Sequence, residues 1–330
     1  STASITDAPP ASFAAHNSYR LCETPEQMEQ VVYRDIELGS CAADMQKNGG
    51  AGSISEQLAM SGVNVLLGGG SKHFDPQVEG GNISVRQLAQ QQGYQVVDSL
   101  PALAQATKEK PLLGIFSEST MPVRLRGEAG RSAEQPEPSM LNYVHRYLGD
   151  VTMPEPMVCE QNPDAASVPS LKSMTDAALA HLSGNNEKGF FLTIESASID
   201  KQSHERKPCG SIGEVEQLKE ALASALDFAA THPRTLVMVT ADHSQAAQLI
   251  PYESLFAAYP IPTYTPGKLA RIVTPEGSHM AVNYATTNFF MAEHTGAAVP
   301  FYSTSEGIGR IPPYLQQPQV FDITREYLGL

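Results

Sequence analysis

The sequence predicts an α/β fold, a three-layer αβα sandwich around a mainly parallel central sheet. Two observations carry this. Short apolar runs of strand length alternate with amphipathic helical stretches along most of the chain, which implies a parallel sheet covered on both faces. The chain is also long enough to bury a sizeable core, with 330 residues of which 41 % are hydrophobic and 18 % charged.

Taken in order, "SISEQLAMSG" (53–62) predicts a helix that starts from a serine and stops at Gly62. "VNVLL" (63–67) predicts a buried strand ended by Gly68-Gly69-Gly70. That glycine run, followed by Ser71-Lys72, lacks the G-x-x-x-x-G-K-[ST] spacing of a phosphate loop and reads as a turn. Residues 84–93 read as helix, 94–97 as strand, 100–107 as helix and 111–116 as strand. Leu171, Met174, Ala178 and Leu182 lie at helical spacing. A strand over 189–194 follows, then the longest amphipathic helix, marked by Val215, Leu218, Leu222, Ala225 and Ala229. "TLVMVT" (235–240) predicts a second buried strand. Residues 123–168, rich in Pro, Glu and Gly, and 251–279, rich in Pro and Tyr, read as excursions from one domain spanning 1–330.

The net charge of -14 repels polyanions, so nucleic acid is excluded as a general partner. No stretch reaches the ~18 consecutive apolar residues of a membrane span. No charged segment followed by an apolar one opens the chain as a signal peptide would, which leaves room for a processed or truncated start. Cys22, Cys41, Cys159 and Cys209 form no C-x-x-C pair, which argues against a zinc ribbon or a thioredoxin-type motif. They allow three pairings, or four buried thiols.

Ligands of open α/β sheets bind beyond the carboxyl ends of the strands. Glu195 directly follows the run 189–194, and Asp242 and His243 follow 235–240. Asp200 and His204 are four apart and share one face if that segment is helical. "AEHTG" (292–296) adds His294. Mixed Asp and His ligation suits zinc, whereas Glu195 with hydroxyl and water suits magnesium. Each motif alone has a plainer reading: a salt-bridged strand end for Glu195, and chance spacing for the Asp/His pairs. Together they are stronger, because the two strand ends converge in such a sheet.

"ESASIDKQSH", "TADHS" and "EHTG", in this order and spacing, closely resemble the alkaline phosphatases. So does "DAPPASFAAHNSYRLC" near the start. The resemblance implies that Asp200, His204 and His294 ligate one zinc, and that Asp242 and His243 supply two ligands of a second. It implies magnesium at Glu195, phosphate on the fork of Arg20, and Lys201 reaching phosphate through water. It pairs Cys22 with Cys41 and Cys159 with Cys209, and so implies a periplasmic or secreted setting. A homodimer acting on small phosphate monoesters is the family expectation.

Three departures stand out. The family's nucleophilic serine, on a D-S-A type motif, lies upstream of the part that matches Ser1. The domain therefore reads as incomplete on its N-terminal side, to be completed by a further segment of the same enzyme. Asp98-Ser99 is a local decoy in which Ser99 reads as a helix N-cap. Pro9 stands where the family has a hydroxyl ligand of magnesium, which puts that ion in doubt. Gln245 replaces a histidine and remains able to hydrogen-bond a ligand carboxylate. The expected activity is zinc-dependent phosphomonoester hydrolysis through a phosphoserine. The alternatives are a two-metal phosphodiesterase or sulfatase-like hydrolase, and a metal-binding fragment without turnover.

Overall fold

The computed structural model describes residues 1–330 apart from 146, 185, 187, 252–266, 285–288 and 308. Its contacts divide the chain into two compact units. Unit 1 comprises Ser1–Pro122, Pro163–Ala197 and Gln217–Ala225; unit 2 comprises Val123–Asn162, Ser198–Glu216 and Leu226–Leu330.

Unit 1 begins with α1 (Ala8–Ser12), α2 (Pro25–Glu29) and a hairpin of β1 (Val31–Tyr33) and β2 (Ile36–Gly39). Then α3 (Ile54–Met60), β3 (Val65–Gly68), α4 (Val85–Gln91), β4 (Gln95–Val97), α5 (Leu100–Ala104) and β5 (Leu112–Ile115) alternate as predicted. Serine caps set the helix starts: Ser53, Ser84 and Ser99 each accept a hydrogen bond from the N–H three residues on. The strands form a parallel sheet in the order β3–β5–β4, with Val65 and Gln95 both opposite Leu112.

The two-residue side-chain period of a strand then separates two cores. Leu66, Leu113 and Ile115 point into one, against Ile54 and Leu58 of α3 and Val85 and Ala89 of α4. Leu67, Val97 and Leu112 point into the other, against Leu103 of α5, Leu171, Met174 and Ala178 of α6 (Leu171–Ser183), and Ala221. Helices on both faces of a parallel sheet make three layers. Each fully buried leucine contributes roughly 1.5–3 kcal/mol.

One predicted strand of this unit is corrected. Residues 189–194 carry no strand pairing among the described residues. Leu192 and Ile194 pack on the second core while Phe191 is 48 % exposed, so the segment is buried on one side only.

Unit 1 also buries His73 (5 % exposed), which packs within hydrogen-bond distance of Thr6 Oγ1 (2.6 Å) and lies 3.4 Å from Glu23. Burial, with help from the neighbouring Lys72 charge, pushes its pKa down to about 4 from 6.5. The fold thus holds the neutral ring. Its stabilising effect is complete above pH 6.5 and is lost as pH falls towards 4, on the order of 3 kcal/mol in total. Glu23, pushed up by burial, has the opposite sign: its effect is present at low pH and lost as pH rises. Urea unfolding at pH 7.5 and pH 4 should therefore show a smaller stability loss on acidification in His73→Gln than in the parent chain.

Unit 2 contains antiparallel pairs. β6 (Leu125–Gly127) pairs with β9 (Cys159–Gln161), and β7 (Glu137–Pro138) with β8 (Val151–Thr152), so the first excursion carries structure of its own. Then come α7 (Ser198–His204), α8 (Pro208–Thr231, of which 217–225 belong to unit 1), β10 (Met238–Val239), β11 (Ser244–Gln245) and β12 (Gln248–Pro251). β13 (Leu269–Val273), β14 (His279–Asn283), β15 (His294–Thr295), β16 (Tyr302–Ser303) and α9 (Gln317–Leu328) complete it. The order β12–β14–β13 places part of the second excursion in a sheet, while its residues 252–266 lie outside those described.

The buried strand predicted over 235–240 is also corrected. Only β10 is strand, antiparallel to β16 and half-buried, because a two-stranded ribbon leaves its outer side open. Ala133, Met157, Ala270, Ile272, Val282 and Tyr284 form the core of this unit together with Cys209. The disulfides join Cys22 to Cys41 in unit 1 and Cys159 to Cys209 in unit 2, with Cα separations of 6.5 and 5.3 Å. No described helix is long and apolar enough to cross a membrane.

Candidate metal centre

α7 places Asp200 in its first turn and His204 in its last, one helical turn apart on the same face. Arg206, in the left-handed region at φ 57°, follows the end of this helix. His294 comes from 90 residues further on and is positioned by the strand pair β11–β15, in which Gln245 lies directly opposite His294. The segment before β15 is tied to His204 twice. Ala292 N donates to the His204 carbonyl at 2.9 Å, and the His204 Nδ1–H donates to the Ala292 carbonyl at 2.5 Å. The buried Arg206 donates to the carbonyls of Phe289 (2.8 Å) and Phe290 (3.2 Å).

Three ligand-type atoms result, facing one another. His204 Nε2 and His294 Nε2 are 2.8 Å apart, and Asp200 Oδ1 lies 3.4 Å from the first and 3.2 Å from the second. Tetrahedral zinc with bonds of ~2.0–2.1 Å needs donor atoms roughly 3.3 Å apart, which the two Asp200 separations match and the 2.8 Å imidazole pair undershoots. With Nδ1 committed to the Ala292 carbonyl, the Nε2 lone pair of His204 faces the other two donors. Gln245 Nε2 donates to Asp200 Oδ1, so this glutamine holds the aspartate carboxylate in place.

His243 and Asp242 lie beside this group. The His243 ring stacks on His294 with centroids 3.5 Å apart, and its Nε2 is 3.4 Å from Asp242 Oδ2 and 3.9 Å from Asp200 Oδ1. Gln317 of α9 donates to the Asp242 carbonyl. Lys201 directly follows Asp200 on α7.

The other predicted residues belong to unit 1. Glu195 accepts a hydrogen bond from Ser1 Oγ at 2.5 Å. Arg20, with an exposed side chain, pairs with Asp7 at 2.5 Å, and Asp7 caps the N-terminus of α1, the helix that contains Pro9. Sequence reasoning missed the Ala292, Arg206 and Gln317 supports, which no motif signals, and also the Asp7–Arg20 pair.

A helix carrying an aspartate and a histidine, with a further imidazole brought in on β15, makes a cluster that could hold a metal ion. The alkaline phosphatase family model matches residues 1–304, and the chain belongs to that family. It is 36 % identical to the alkaline phosphatase of Escherichia coli K12 over 337 residues, covering all of this chain and 64 % of that protein. It is 35 % identical to the streptomycin-6-phosphate phosphatase of Streptomyces griseus, again over the whole chain and 68 % of that protein. The alkaline phosphatase of the Antarctic bacterium TAB5 shares the fold, with a TM-score of 0.54 at 18 % identity over 92 % of this chain and 63 % of that one. The chain thus spans about two thirds of the length of these relatives.

Proposed function

We propose that this chain is the metal-holding part of a zinc-dependent phosphomonoesterase of the alkaline phosphatase type. The observation that carries the reading is the convergence of Asp200 Oδ1, His204 Nε2 and His294 Nε2, all within 4.8 Å of one another. Asp242 and His243 are the proposed ligands of a second zinc. Glu195 is the proposed ligand of magnesium, a looser site because Pro9 offers no hydroxyl; a variant of the TAB5 enzyme is described with Mg bound. Bound zinc supplies Lewis-acid stabilisation of the entering and leaving oxygens of an in-line displacement at phosphorus.

The chain's own residues orient and hold. The Ala292 carbonyl and the Gln245 amide fix the orientation of His204 and Asp200 before any ion binds, which lowers the cost of assembling the centre. The planar fork of Arg20 matches two phosphate oxygens, and Lys201 adds a charge for a dianionic monoester end. The nucleophilic serine, and with it the phosphoserine, is assigned to an upstream segment of the same enzyme. A periplasmic or secreted homodimer is the setting that the family and the two disulfides favour.

The test is made on the enzyme completed by its upstream segment. Chelation should abolish phosphate release from a chromogenic monoester, and zinc should restore it. Undiminished turnover after chelation would overturn the reading, and faster hydrolysis of a diester would move it to the phosphodiesterase class. A second reading, zinc binding without turnover, is favoured by one observation. Ser99, in the chain's Asp-Ser pair, is engaged as the cap of α5, accepting from Ala102 N. Zinc bound by this chain with no turnover after completion would establish that reading.

A further inference from the structure

A buried polar network lies behind the Asp7–Arg20 pair, within unit 1. The glycine run after β3 makes it possible. Gly70, in the left-handed region at φ 98°, passes so close to Ser4 that a Cβ there would collide with Ser4 Oγ. The single 3-10 turn that follows, Ser71–His73, sets the His73 ring against Ser4 and Thr6. Thr6 Oγ1 donates to Glu23 Oε1 (2.7 Å), which spends its one hydrogen. His73 Nδ1–H therefore donates to Thr6 Oγ1 (2.6 Å), and the Ser4 hydroxyl donates to the same oxygen (2.7 Å). His73 Nε2 then faces Glu23 Oε2 at 3.4 Å. Burial disfavours the charged form of both groups, which places one proton on Glu23 Oε2, aimed at the Nε2 lone pair.

The order hydroxyl, imidazole, carboxylate is that of a catalytic triad, but Thr6 is fully buried and His73 nearly so, and no substrate reaches them. What the network does reach is the ion pair in front of it. Thr6 is directly followed by Asp7, whose Oδ1 accepts from Arg20 Nη2 (2.5 Å) and from Ala8 N (2.8 Å). Glu23 lies three residues beyond Arg20, just after the turn in which Cys22 N donates to the Tyr19 carbonyl (3.1 Å). The Glu23 carbonyl in turn accepts from Ser55 N of α3 (3.1 Å). One set of buried hydrogen bonds thus joins the backbone on both sides of the Asp7–Arg20 pair. The pair by itself is a weak anchor. The Arg20 side chain is 62 % exposed, and exposed ion pairs lose much of their attraction to solvent and side-chain entropy. A buried, satisfied network is rigid by contrast.

We propose that Thr6, His73 and Glu23 are positioning residues for Arg20: their buried network fixes Asp7 against Arg20 and so holds the guanidinium ready for two phosphate oxygens. This rests on the reading of Arg20 as the phosphate-binding residue. Thr6 and Glu23 grip each other directly and through one imidazole, so the segments 6–7 and 20–23 cannot slide apart. The guanidinium is then ordered before phosphate arrives, and less side-chain freedom is lost on binding. The Gly68-Gly69-Gly70 run thereby has a role without being a phosphate loop: it seats the histidine behind the arginine.

The test compares variants of the full chain that differ in whether the network can close. Thr6→Val and Glu23→Leu open it. Thr6→Ser keeps the hydroxyl, and Glu23→Gln keeps an acceptor for Thr6 while offering an amide donor to His73 Nε2. Glu23→Gln and Glu23→Leu lose the same charge, so a difference between them belongs to the hydrogen bonds. Nitrogen relaxation of the Arg20 Nε–H should give an order parameter below about 0.6 in the two open variants, and above it in the parent and both closed variants. Inorganic phosphate, titrated in the presence of zinc, should bind roughly tenfold more weakly to the open variants. A network that only stabilises the fold would lower their urea midpoint and leave both readings at parent values, which would overturn the proposal. Loss of Arg20 order with unchanged phosphate affinity, where Arg20→Ala weakens binding, would overturn it too. Phosphate bound by Arg20→Ala as tightly as by the parent would instead remove the phosphate reading of Arg20, and the order parameter alone then decides the network. If Thr6→Val does not fold, the Glu23 pair carries the comparison.

Discussion

Replacing His294 with alanine should weaken zinc binding by more than about 100-fold, with little change in stability. The reason is geometric. His294 supplies one of three converging donor atoms, and its Nε2 stands 2.8 Å from that of His204 and 3.2 Å from Asp200 Oδ1. Its side chain is 46 % exposed, so truncation opens no core cavity. Loss of a supporting partner alone typically costs 10–100-fold in metal affinity, and loss of a ligand costs more. Gln245→Ala, which removes only the amide on Asp200, should fall within that smaller range. Competition against a chromophoric chelator reads both variants. Equal effects from the two would contradict the distinction between ligand and support, and unchanged affinity in His294→Ala would remove the centre as drawn.

The second large effect concerns stability. Replacing Cys159 and Cys209 together with serine should cost about 4 kcal/mol in the chain-entropy account, because the bond closes a loop with a sequence separation of 50. The bond joins β9 to the start of α8, close in sequence to Arg206, whose side chain holds the carbonyls of Phe289 and Phe290. Denaturant unfolding of the parent and double-serine chains measures the loss. Cys22–Cys41 closes a separation of 19 and should contribute less, about 3 kcal/mol. A larger loss from breaking the shorter loop would argue against the loop-entropy account for this protein.

Much of the fold was legible because its signals are local. The serine caps at 53, 84 and 99 and the apolar runs at 65–68 and 112–115 lie within one or two turns of the elements they specify. Asp200 and His204 were legible for the same reason, since a four-residue spacing becomes a shared face once α7 forms. The errors arose where pairing decides. Residues 189–194 and 235–240 have strand composition, but strand formation needs a neighbour, and composition does not name one.

By itself the sequence determined the alternation of elements, the helix starts, and the identity and order of the aspartate and histidine side chains that cluster, because these depend on neighbours a few residues away. Only the tertiary structure decided that Ala292 holds His204, that Gln245 stands opposite His294, and that Arg206 carries the 289–290 segment. Those contacts join residues tens of positions apart, and such closures are set by how strands pair and loops pack. The convergence of Asp200, His204 and His294 is therefore a property of the folded chain, built from side chains whose identities the sequence had already specified.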